Sequence, residues 1–119
     1  MTPAEHLAKA ESIMAGVNKL AFPQDYLAIV DGSLVAGYHY GNALLHSHGV
    51  LPDAEHVNTP SKLGIAAPAL PPAIQPAFAA FTELERLRSD FVRSPSTCDA
   101  RLEGQVRELL NVMRRASAR

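Results

Sequence analysis

The stretch from Asp25 to His48 leaves this chain little choice of architecture. It follows Pro23 and ends at Gly49, with Pro52 just beyond. Leu27, Val30, Leu34, Gly37, Gly41, Leu44 and His48 recur along it at spacings of three and four, the period of one helical face. Gly49 suits the left-handed position that follows a helix C-terminus. Gly32, Gly37 and Gly41 inside a helix each cost about 0.8–1 kcal/mol relative to alanine. The spacing therefore predicts one long helix whose glycines admit close approach by a neighbour, within or between chains. A break near Asp31-Gly32-Ser33 is the alternative.

Three shorter amphipathic stretches accompany it. Thr2 is placed to cap a first helix, with Pro3 at its first position and Glu5 completing a capping box. Leu7, Ala10, Met14, Val17 and Ala21 form its stripe, and Pro23 stops it. Residues 50–72 carry five prolines, and Thr59-Pro60-Ser61 is placed to start a short helical turn through Ala67. A connection this long in a small domain is usually functional or mobile. The third helix is predicted from Pro72 to Arg93, with Ile74, Phe78, Phe81, Leu84, Leu87 and Phe91 inward and Glu83, Glu85, Arg86 and Arg88 outward. Ser94-Pro95-Ser96-Thr97 reads as a turn. The fourth helix carries Leu102, Val106, Leu109 and Met113, with Arg114, Arg115 and Arg119 complementing its dipole. Apolar residues make up 47% of the chain but aromatics only 6%, a composition that favours helices with little packing volume. The fold class expected is all-α: a single domain, residues 1–119, forming an antiparallel, up-and-down four-helix bundle with a long Pro-rich loop between helices 2 and 3.

Charge and cysteine content narrow the function classes. Net charge is −1, which does not advertise nucleic acid or anionic lipid as a partner. Residues 1–60 hold two lysines against six carboxylates, whereas residues 61–119 hold nine basic against six acidic groups. Complementary helix faces account for that asymmetry, with an arginine-side binding surface as the alternative. Cys98 is the single cysteine, so no internal disulfide forms and a reducing, cytoplasmic setting is expected. Its place near a helix start slightly favours a thiolate, but no histidine lies near it in sequence, and a small apolar role is expected. No uncharged apolar run reaches the roughly 18–20 residues needed to span a bilayer, and the N-terminus lacks the layout of a signal peptide.

Every histidine (His6, His39, His46, His48, His56) precedes every arginine, the first of which is Arg86. Three stretches bear on that order: Ala4-Glu5-His6-Leu7-Ala8-Lys9-Ala10; Gly37-Tyr38-His39-Tyr40-Gly41-Asn42-Ala43-Leu44-Leu45 with His48-Gly49-Val50; and Phe81-Thr82-Glu83-Leu84-Glu85-Arg86-Leu87-Arg88-Ser89-Asp90-Phe91. Together they resemble the opening helix, the aromatic-rich second helix and the third helix of the HEPN superfamily of small helical bundles. The resemblance spans most of the chain. It implies a bundle, a tendency to form a homodimer, and membership of a nucleotidyltransferase-linked or toxin–antitoxin system, with a nucleotidyltransferase as protein partner. Many HEPN proteins are metal-independent ribonucleases that use an arginine followed four to six residues later by a histidine. That order cannot occur here, so no catalytic residue transfers, and a non-catalytic binding or regulatory module is expected.

His39, Asn42 and His46 share one face of the second helix and form the candidate ligand-binding site. Imidazoles on adjacent turns suit zinc-type ions when packing brings a third ligand, here His48, Asp53, Glu55 or His56 from the loop. An i,i+7 pair, however, spans about 10.5 Å of helical rise, too far for one ion. His46 and His48, two residues apart, point away from each other. No metal site and no cofactor are expected on that geometry. The second reading is a metal- or ligand-dependent enzyme built on His39, Asn42 and His46, with Glu83 facing them from the third helix. A third is RNA binding through Arg86, Arg88 and Arg93, set against their salt-bridged alternation with Glu83, Glu85 and Asp90. Phosphate-cradling loops, CxxC pairs, HExxH and nucleophile elbows are absent.

Overall fold

The capping box forms as its residues dictate. Thr2 Oγ1 accepts the Glu5 N–H at 3.2 Å, and Glu5 Oε2 accepts the Thr2 N–H at 3.0 Å. The computed structural model describes residues 1–118, without the side chain of Ala67. Among them are four α-helices and no strand: α1 (Pro3–Val17), α2 (Tyr26–Ser47), α3 (Gln75–Phe91) and α4 (Leu102–Ser117). Three short 3₁₀ turns, Pro60–Lys62, Ala67–Ala69 and Pro72–Ile74, punctuate the proline-rich connection between α2 and α3.

The long helix is unbroken at Asp31-Gly32-Ser33, and it is the hub. It packs against α1, α3 and α4, and α3 also packs against α4. The glycines account for the closeness of these contacts. A Cβ built on Gly41 would stand 3.1 Å from Phe81 Cε2, and one on Gly37 would stand 3.2 Å from Leu84 Cδ1. At Gly32 it would meet Val17 Cγ2 of α1 at 2.7 Å. All three close approaches are therefore met within one chain. Phe78 and Phe81 pack edge to face at a centroid distance of 5.9 Å, a favoured aromatic geometry. Leu84, Leu87, Leu102, Val106, Leu110 and Met113 complete the core with them. Leu27 departs from the expected seam: it lies before the other helices cover α2 and is 47% exposed.

A polar tie links three helices. The buried Tyr40 donates its hydroxyl to Glu11 Oε1 at 3.0 Å, and Arg114 Nε donates to the same oxygen at 3.0 Å. Burial and the bond to Glu11 push the Tyr40 phenol up to about 12.

Several boundaries correct the sequence reading. α1 ends at Val17, because Lys19 and Leu20 turn back onto the carbonyls of Gly16 and Val17; Ala21 is exposed. The Asp25 carboxylate bonds back to Ala21 N–H instead of capping α2. The turn begun at Pro60 ends at Lys62, since its last N–H bonds reach back three residues. α3 starts at Gln75: Pro76 has no N–H to return to the Pro72 carbonyl, and the chain before it closes a 3₁₀ turn with the Ile74 N–H on the Pro71 carbonyl. Cys98 lies in the loop before α4, so no helix N-terminus acts on its thiol. Arg119 lies outside the described residues.

Replacing Gly41 with valine drives methyl groups into the ring of Phe81. Urea unfolding is expected to show a loss of about 1–3 kcal/mol, the usual cost of overpacking a filled core. An unchanged midpoint would mean that α2 and α3 do not depend on this close approach.

Candidate metal centre

The face of α2 turned from Gly37 and toward α1 carries His39, Asn42 and His46, all three buried. The structure brings to them a residue that sequence reasoning missed. His6 sits on α1 one helical turn before Ala10, and both are fully buried against α2. The small Ala10 side chain and the Val17–Gly32 contact hold α1 close to α2, so the His6 ring enters the gap between His39 and His46. Its centroid lies 5.2 Å from that of His39 and 5.1 Å from that of His46. The rise of about 10.5 Å between positions i and i+7 is thus bridged by a ring from another helix. The signal was present, since His6 occupies a core register of α1, four residues before Ala10.

Asn42 bonds backbone through both ends of its amide. Its amide nitrogen donates to the carbonyls of Tyr38 and Val57, at 2.8 and 2.9 Å, and its oxygen accepts the Val57 N–H at 2.9 Å. Both amide hydrogens and one oxygen lone pair are thus spent on backbone, and the side chain acts as a clamp on the loop. The residue before the clamp is His56, whose exposed ring stands 5.1 Å from His6 and 5.5 Å from His46. One ligand atom each from His6, His46 and His56 lies within 4.8 Å of the others. His48, the C-cap of α2, is exposed and does not join that set; nor do Asp53 and Glu55. Glu83 binds Arg86 on the exposed side of α3, which lowers its pKa. It is no part of this site.

Hydrogen bonds set the tautomers. His46 Nδ1 lies 3.1 Å from the Leu51 carbonyl, which can only accept, so in the neutral ring Nδ1 carries the hydrogen and Nε2 the lone pair. His6 Nδ1 lies 2.9 Å from His39 Nδ1. When His6 donates in that pair, its Nε2 also carries a lone pair. Both Nε2 atoms are buried without any hydrogen-bond partner. Buried polar atoms are rarely left so, and unpartnered ring nitrogens beside a third imidazole are what a cation satisfies. In that arrangement His39 is an outer partner, fixing the tautomer and orientation of a ligand ring. Tyr38 packs edge-on against His39 at 4.6 Å and His6 at 6.0 Å, walling one side of the cluster.

Burial, with the neighbouring His39, His46, His56 and N-terminal amine, lowers the His6 pKa to about 4. Burial, Lys9 and His56 also lower that of His39. Both rings therefore resist protonation in the folded state while the unfolded chain takes protons near 6.5. The contribution to stability is complete above pH 6.5 and is lost as pH falls toward 4. Denaturation of the metal-free protein across that window should show this loss, with a flatter profile for His6→Gln. Identical profiles would contradict the burial described. Asn42→Ala, which orphans both polar groups of Val57, is expected to cost about 1–3 kcal/mol and to speed amide exchange at Val57. Unaltered exchange there would mean that the clamp does not hold the loop.

No family model matches this chain, and neither a curated protein nor a solved structure does.

Proposed function

We propose that this chain is a metal-binding helical module that holds one zinc-type divalent ion on His6, His46 and His56. The observation that carries the reading is that one ring nitrogen each of His6, His46 and His56 lies within 4.8 Å of the others, while the Nε2 atoms of His6 and His46 are buried without a hydrogen-bond partner. Three neutral imidazoles suit zinc and the later first-row divalent ions. They leave one tetrahedral position open on the exposed His56 side, for water or an exogenous group. Nitrogens about 2.0–2.1 Å from one tetrahedral ion lie roughly 3.3 Å apart. The rings therefore close inward on binding, and His56, on an exposed loop, is the one placed to move.

The role proposed is binding and regulation, in keeping with the module implied by the HEPN resemblance without its arginine–histidine pair. The ion draws the loop after α2 onto the bundle and so couples metal supply to the shape of that surface. The antiparallel up-and-down topology, the homodimer and a nucleotidyltransferase partner belong to the same proposal.

Calorimetry with zinc on chelator-stripped protein is expected to give one ion per chain, and cobalt(II) the visible absorption of a tetrahedral site. An ion at 100 times its Kd stabilises the fold by about 2.7 kcal/mol. Because His56 is exposed, His56→Ala keeps the bundle while weakening zinc by more than the roughly 10–100-fold typical of a lost outer partner. Absence of heat with wild-type protein, or unchanged affinity in both His56→Ala and His46→Ala, would remove the proposal.

A further inference from the structure

Beyond Tyr38, on the side away from the histidines, we infer a second site: a cleft that binds a small ligand carrying a phosphate-type oxyanion. Lys62, Arg88 and Arg93 line one cavity of about 370 Å³, together with Tyr38, Asn58 and Thr59, and no carboxylate lines it. The other arginines among the described residues are spent on acids. Arg86 pairs with Glu83 and Asp90, Arg101 with Asp99, Arg107 with Glu103, Arg114 with Glu11 and Arg115 with Glu108. The arginine group singled out in the sequence thus divides. Arg86 belongs to a solvated ion-pair face, whereas Arg88 and Arg93 keep their charge for the cleft.

Arg88 carries the argument furthest. Its Nε is shielded from solvent and has no hydrogen-bond partner, a costly state for a cationic donor. The same side chain lines the cavity and forms no ion pair with an acid among the described residues. The opposite wall is fixed by Glu85, whose two oxygens accept from Ser61 N–H at 3.3 Å and Ser61 Oγ–H at 2.8 Å. That bond seats the Pro60–Lys62 turn on α3 and sets Lys62 against the same cavity as Arg88. The buried Thr59 and the exposed Asn58 add polar groups from the chain just past the Asn42 clamp. Two planar guanidinium forks and an ammonium with no acid among them match the geometry and charge of phosphate oxygens. The three cations share one concavity and do not run as a stripe along a helix, which favours a compact phosphorylated molecule over an RNA strand.

The inference does not rest on the metal. Metal-stripped protein titrated at low salt with inorganic pyrophosphate is expected to bind one equivalent, with amide shifts at Asn58, Thr59, Lys62 and Arg93. Exposed Arg93→Gln and Lys62→Gln should each weaken binding about tenfold, while Arg101→Gln, remote from the cleft, should not. No saturable binding, or equal affinity in the two cleft variants, would overturn the site. So would tighter binding of oligouridylate with shifts spread over Arg107, Arg114 and Arg115, which would assign the surface to nucleic acid. His56→Ala is expected to bind pyrophosphate as the wild type does; loss there would place the anion on the histidines instead.

Discussion

Three hydrogen bonds from one carboxamide turn the connection between α2 and α3 into structure. Asn42 is fully buried, and it pairs both the N–H and the carbonyl of Val57 while also bonding Tyr38. In a low-dielectric setting such bonds are strong and costly to leave half made, so the loop is pinned at that point. Everything of chemical interest is placed relative to it. His56, just before the clamp, faces the rings of His6 and His46; Asn58 and Thr59, just after it, line the cationic cleft.

The second organising fact is that α2 presents two unlike faces. Gly37 and Gly41 receive Phe81 and Leu84 on one, so packing there is apolar and tight. His39, Asn42 and His46 occupy the other, where α1 supplies His6. Burial suppresses the charged forms of His6 and His39 in that setting. The price is a pair of ring nitrogens without partners, and such a deficit is informative because native structures seldom leave one.

Much of the frame was legible in the sequence. Pro3 and the Thr2–Glu5 box placed the start of α1, the three-and-four spacing placed α2, and Phe78, Phe81, Leu84 and Leu87 marked the inner face of α3. Ends were less legible, since single N–H bonds decide them: Lys19 and Leu20 closed α1 early, and prolines delayed α3. The site was half legible. Periodicity put His39, Asn42 and His46 together because they lie on one helix, and helical rise set His39 and His46 two turns apart. Neither argument reaches across helices. That His6 would fill the gap, and that Asn42 would face backbone and not a ligand, are tertiary facts. So is the division of Arg86 from Arg88 and Arg93, which depends on which acids fold within reach.

The separation of the two faces of α2 has an evolutionary consequence. The residues that hold α2 to α3 and α4 make no use of the histidines, and His56 contributes nothing to the apolar core. The histidine positions can therefore change while α2 keeps its hold on α3 and α4. Chains sharing this scaffold need not share its chemistry, and descent and activity would have to be traced through different sets of positions.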